Sequence, residues 1–172
     1  IFGSGAARTA VQQVIDQALR RERDGAMITA DAVKMRGEIA RHKPPAGPLD
    51  IKLAEGGLVD LEFLVQVTQL VHRTGFDPDL GASVRALSAS GLLPESMGAA
   101  HDLLTRYLVV SRLVSPASTE PPEATKMLVA QRCGAKDWAD LLAMLDAARQ
   151  SVSREWRAIV DSVPPSEPNE EK

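Results

Sequence analysis

Residues 50–66 read Asp50-Ile51-Lys52-Leu53-Ala54-Glu55-Gly56-Gly57-Leu58-Val59-Asp60-Leu61-Glu62-Phe63-Leu64-Val65-Gln66, and the change of rhythm inside this run decides the fold. Asp50 to Leu53 alternate polar and apolar, the period of a short strand. Gly56-Gly57 then marks a turn, and a helix is expected from about Asp60 to Arg73. On that helix Glu62, Gln66, Gln69 and Arg73 form a narrow polar stripe at i, i+4, i+7 and i+11. Phe63, Leu64, Val67, Leu70 and Val71 cover much of the rest, so the helix belongs inside a bundle. Within the stripe, Glu62 and Gln66 are expected to be buried and to pair internally.

Upstream, Val11, Val14, Ile15, Ala18 and Leu19 set a 3/4 spacing over residues 6–23, and Gly25 follows Arg20, Arg21 and Arg23 as a helix end should. Thr29 reads as the N-cap of a second helix reaching about His42, with Val33, Arg36, Ile39 and Ala40 on one side. The three prolines and the glycine of residues 43–48 break the ladder. Downstream, helices are expected near 80–90, from Pro94 to about Leu113 with Met97, Leu104 and Leu108 buried, and from Glu123 to Cys133, closing at Gly134. The segment Pro116 to Pro122 is a loop. Asp137 caps a long final helix whose buried side carries Trp138, Leu141, Leu142, Leu145, Val152 and Ile159.

The sum is an all-α bundle of about six or seven helices with one strand-like segment near residues 50–53. Residues 1–163 divide into a helical hairpin (1–43), a linker with the Gly-Gly turn (44–58) and a main bundle (59–163); residues 164–172 are a disordered acidic tail. Composition agrees. Of 172 residues 44% are hydrophobic but only 3% aromatic, so aliphatic helices must build the core. No apolar run approaches the roughly 20 residues of a membrane helix. The start at Ile1 shows no leader and reads as a chain cut from a longer protein. Cys133 stands alone, which excludes an internal disulfide and suits the cytoplasm. Residues 1–43 carry eight Lys/Arg against five Asp/Glu, a mild excess without aromatic interleaving, so nucleic acid is set aside.

Chemistry concentrates in the opening stretch. Gly56 and Gly57 would let backbone approach a ligand, and the helix start that follows offers N–H groups to a phosphate. Lys52 supplies a point charge; Asp60 or Glu62 could act on a metal or a proton. The plainer alternative makes the glycines a turn, Asp60 an N-cap and Glu62 a solvated first-turn acid. Residues i and i+2 lie about 200° apart on a helix, so Asp60 and Glu62 cannot share one metal from within it. Arg36 is a further candidate, with a stem snorkelling to solvent as its alternative. The histidines His42, His72 and His101 share no ligand spacing. Arg154, Trp156 and Arg157 read either as a docking patch or as a core Trp with flanking surface charges.

The run Asp50-Ile-Lys-Leu, Gly56-Gly57, Asp60-Leu-Glu62-Phe63-Leu-Val-Gln66 resembles the signature that follows the catalytic core in glutamine synthetase adenylyltransferase, a bifunctional adenylyltransferase and adenylyl-removing enzyme. Met35-Arg36 matches a Met-Arg pair upstream of it, and Asp137-Trp138 with the last helix resembles its C-terminal end. The resemblance implies a helical module from the adenylylating half, which attaches AMP from ATP to a tyrosine of glutamine synthetase with Mg²⁺. It implies glutamine synthetase and the PII signal protein as partners, and neither nucleic acid nor membrane.

The family's core also carries a Gly-Ser turn ahead of an Asp-x-Asp on a strand, which is missing here. Asp77-Pro78-Asp79 fits only the bare pattern and reads as a turn. Val109 to Val114 lacks the family's Glu-His pair. The implied fragment therefore has no catalytic residue and no metal ligand of its own and is inactive alone. Lys52, Gly56, Gly57, Asp60 and Arg36 are its nucleotide-site candidates. A PII uridylyltransferase, which shares the Gly-Gly-x-x-Asp turn, and a non-catalytic docking module are the alternatives.

Overall fold

A computed structural model describes residues 4–115 and 119–163 of the chain. Seven helices follow in order: α1 (Gly5–Arg20), α2 (Gly25–His42), α3 (Leu58–His72), α4 (Leu80–Ala89), α5 (Ser96–Val114), α6 (Glu123–Arg132) and α7 (Trp138–Asp161). No strand occurs among the described residues, and the all-helical expectation holds. The expected tail at 164–172 and residues 116–118 of the 116–122 loop lie outside the described residues.

Most helix ends follow from local chemistry. Asp79 caps α4 by accepting from the Ala82 N–H at 2.7 Å, and Asp137 caps α7 by accepting from the Asp140 N–H at 2.8 Å. Gly134, at φ 83°, follows α6. The start of α2 differs from expectation. Asp24 is its cap, accepting from Ala26 and Met27 N–H at 2.9 and 3.1 Å, and Gly25 opens α2 rather than closing α1. Thr29 lies one turn inside, where its hydroxyl donates back to Gly25 O at 2.7 Å.

The alternating segment at 50–53 also differs, for it folds into tight turns. Asp50 accepts from the N–H groups of Ala46, Lys52 and Leu53 at 3.0–3.2 Å, removing donors that a ladder would need, and the described residues offer no second strand to pair with it. The carbonyls of this turn point the other way, into α3. Leu58 N–H donates to Ile51 O at 2.9 Å and Val59 N–H to Lys52 O at 3.1 Å. Because α3 has Gly57 at its N-cap and no side-chain cap, backbone carbonyls satisfy its first turn instead.

Helix α3 is the hub. Leu58, Leu61, Leu64, Val65 and Val67 are buried on it, against Val84 and Leu87 of α4, Leu104 and Tyr107 of α5, and Leu145, Val152 and Trp156 of α7. Phe63 packs on Trp156 with ring centroids 5.8 Å apart. Glu62 and Gln66 are exposed, contrary to expectation, because that half of the polar stripe is left uncovered by its neighbours. Only Gln69, further along, is covered; it donates to Gly75 O at 2.7 Å and to Ser83 Oγ of α4 at 2.9 Å. Helix α2 packs on α3 and α7. Helix α1 buries no residue and leaves Val11, Val14 and Ile15 exposed.

Gly37 sits mid-helix on the exposed face of α2, where an added Cβ would meet no heavy atom within 4 Å. Gly37→Ala should therefore stabilise the chain by about 0.5–1 kcal/mol, read as a rise in the urea midpoint. A fall would mean that the backbone at residue 37 is not open to solvent.

Candidate functional site

The sequence candidates converge on the junction between the 50–57 turn and α3. Arg36 reaches across from α2 and its Nε donates to Asp60 Oδ1, in a pair only 8% and 2% exposed. Its Nη2 donates to Leu53 O at 3.2 Å. Asp60 Oδ2 accepts from the Gly56 N–H at 2.6 Å. Each oxygen of Asp60 thus has a partner, and Arg36 is a buried ion-pair member rather than a snorkelling stem.

The glycines serve this junction through their small size. Gly56 has φ 71°, and a Cβ there would fall on the main-chain carbonyl of Arg149 in α7. A Cβ on Gly57 would lie 2.7 Å from Ala54 O and closer still to Ile51 O. Their N–H groups are engaged within the turn: Gly56 with Asp60 and Gly57 with Ala54 O at 2.9 Å. With Leu58 and Val59 donating to the turn as well, the start of α3 is closed by the protein's own carbonyls.

Lys52 behaves differently from the other four. Its backbone is held by Asp50 and Val59, while its side chain is exposed on the rim of an open cleft of about 500 Å³ between α2 and the start of α3. Met35, Ile39, Val59 and Phe63 give the cleft an apolar floor; Lys43, Lys52, Glu38 and Glu62 stand around it. Apolar surface ringed by a few charges suits an aromatic base or a protein side chain, with the lysines available to phosphate or carboxylate. Asp60 is buried away from this cleft and Glu62 is exposed on it, so the two acids point apart as helix geometry requires.

A second set of contacts, absent from the sequence reading, secures the turn from α7. Arg149 Nε donates to Glu55 O at 3.0 Å and its Nη1 to Pro48 O at 3.4 Å. Glu55 Oε1 accepts from Ser153 Oγ at 3.0 Å and from Arg157 Nε at 2.9 Å, with Arg157 Nη2 donating as well. The hydrogen bonds from Arg157 and then Ser153 hold the Glu55 carboxyl below its usual range. Arg149, Ser153 and Arg157 do fall at i, i+4 and i+8, but nothing in that spacing names a partner 94 to 102 residues upstream. Trp156 is buried in the core, so its neighbours Arg154 and Arg157 are surface charges beside it.

Other reactive groups lie apart. Burial pushes the Tyr107 hydroxyl up to about 12 and raises the Cys133 thiol, so neither is a nucleophile near neutral pH. Asp77 accepts from the Asp79 N–H at 2.8 Å, which makes Asp77-Pro78-Asp79 the entry turn of α4. His42 and His72 are exposed and His101 is half-buried.

Residues 32–160 match the family model described as GlnD PII-uridylyltransferase. The chain is 33% identical over 161 residues to the bifunctional glutamine synthetase adenylyltransferase/adenylyl-removing enzyme of Rhizobium meliloti (strain 1021), covering 88% of this chain and 16% of that one. To the enzyme of the same name from Caulobacter vibrioides it is 32% identical over 158 residues, 85% of this chain and 16% of the other. A shorter match to that of Bradyrhizobium sp. (strain BTAi1) reaches 44% over 72 residues, 42% of this chain and 7% of the relative. The chain thus spans about one sixth of the length of the first two of these relatives.

Two predictions follow from this geometry. Asp60→Ala strands a buried guanidinium and should cost about 3–5 kcal/mol in chemical denaturation, whereas Arg36→Met with Asp60→Leu should recover much of that loss; equal losses would show that the pair is not closed to water. The Glu55–α7 contact is complete above the ordinary carboxyl value of 4.5 and is lost as pH falls through the lowered one. Arg157→Gln should move the Glu55 midpoint upward in an NMR titration, and an unmoved midpoint would remove Arg157 as the cause.

Proposed function

The chain belongs to the helical-module family that the PII-uridylyltransferase model describes and that includes the glutamine synthetase adenylyltransferase/adenylyl-removing enzymes, and on that premise we propose that it serves the adenylylating half of such an enzyme. In this reading the intact enzyme transfers AMP from Mg-ATP to a tyrosine of glutamine synthetase, and this module closes one side of the nucleotide site. The observation that carries the proposal is the exposed Lys52 on the rim of the α2–α3 cleft, on a turn anchored by the buried Arg36–Asp60 pair. Lys52 meets phosphate charge. Gly56, Gly57, Asp60 and Arg36 act behind it, as the support that fixes where its backbone lies.

The residues fit the two groups of Mg-ATP unequally. The apolar floor with Lys43 and Lys52 is compatible with a base and its phosphates. A resident Mg²⁺ is poorly served, since both oxygens of Asp60 are engaged and no group of three or more His, Cys, Asp or Glu that could hold a metal occurs among the described residues. Metal ligands would then come from elsewhere in the enzyme, and the chain alone is inactive. The cytoplasm is the proposed setting; no helix among the described residues is long and apolar enough to cross a membrane.

A second reading, a docking module for glutamine synthetase or PII, is favoured by the outer face of α5, where Leu113 is 82% exposed and Val109, one turn earlier, 57%. One sedimentation experiment separates the two. The purified chain is mixed with glutamine synthetase with and without Mg-ATP. The nucleotide-site reading expects no co-sedimentation, and Lys52→Ala in the intact enzyme should raise the KM for ATP. Co-sedimentation independent of nucleotide, with ATP kinetics unchanged in Lys52→Ala, favours docking.

A further inference from the structure

The turn that carries Lys52 is gripped from two sides, and the outer grip comes from a helix that takes no part in the cleft. We propose that Arg149 of α7 is a positioning residue for Lys52, acting through the 48–57 backbone; this rests on the reading that Lys52 meets the nucleotide. Three observations carry it. The guanidinium of Arg149 donates to Glu55 O and Pro48 O, carbonyls that bracket the turn on either side of Lys52. The backbone of the same residue is where a Cβ on Gly56 would fall, so the turn lies directly against α7 at this point. One and two helical turns on, Ser153 and Arg157 hold the Glu55 carboxylate, so the segment is fastened at successive points along one face.

Among the described residues the Lys52 side chain has no hydrogen-bond or ion-pair partner that would order it, so the place of its ammonium group follows from its backbone. That backbone is fixed inwardly by Asp50 and by Val59, and outwardly, among the described residues, through this clamp. Arg suits the task because its fork reaches two carbonyls at once, which the single ammonium of Lys cannot do in the same geometry.

The test has two arms. In this chain, Arg149→Gln should speed hydrogen exchange at the Gly56 and Val59 amides and leave the core amides of Val65 and Leu104 unchanged. In an intact adenylyltransferase carrying this module, the same substitution should raise the KM for ATP about three- to tenfold with kcat changed by less than about twofold. Arg149→Lys should recover part of that loss, and Arg149→Gln should add nothing in a Lys52→Ala background. Unchanged exchange at Gly56 and Val59, or an additive effect on KM in the double variant, overturns the inference. A silent Lys52→Ala overturns the nucleotide reading itself. A silent Arg149→Gln beside an effect of Lys52→Ala overturns only the role assigned to Arg149.

Discussion

A carboxylate with no access to water must have both oxygens answered, and this requirement at Asp60 organises the centre of the chain. One oxygen draws Arg36 across from α2; the other draws in the amide of Gly56. The middle of α2 is thereby brought, across 24 residues, to the point where the Gly-Gly turn runs into the first turn of α3. Pairs of this kind are weak evidence for stability, since an apolar pair of similar volume often does as well. Their geometry is demanding, however, and here it sets the entry of α3, the helix on which the remaining core is built.

The same junction shows how a helix can begin without a capping side chain. Gly57 supplies none, and a larger residue there would press on the carbonyls of Ile51 and Ala54. Those carbonyls, with that of Lys52, accept from Gly57, Leu58 and Val59. The turn is therefore both the cap of α3 and the platform of Lys52. Structure and presentation of the lysine are one set of hydrogen bonds seen from two sides.

What was legible in the sequence was what is local. Asp137 announces a helix start because an Asp cap needs only the amide three residues on, and α3 is apolar enough to declare itself central. Thr29 misled because a nearer acceptor, Asp24, was available to the same helix. Alternation at 50–53 misled because period alone does not supply a pairing strand, and Asp50 turns the amides inward. Glu62 and Gln66 share a face with Gln69, yet only the last is buried; wheel position gives direction without saying what stands opposite. Lys52, Arg36 and Asp60 were marked by the family resemblance, but the pairing of the last two required the fold. Arg149 and Glu55 were not legible at all, because a polar face on a long helix looks the same whether it meets solvent or a loop.

The contact between Gly56 and Arg149 also bears on how such a module drifts over many generations. The obstacle to a side chain at residue 56 is a main-chain carbonyl, which every amino acid at residue 149 would present equally. No exchange of residue at 149 can make room for a larger residue at 56. Relief requires the helix to move, by an insertion, a deletion or a shift of register. Glycine at this point is thus insulated from the pairwise compensation by which packed side chains usually wander together, and the turn and the helix can diverge in shape only as a unit.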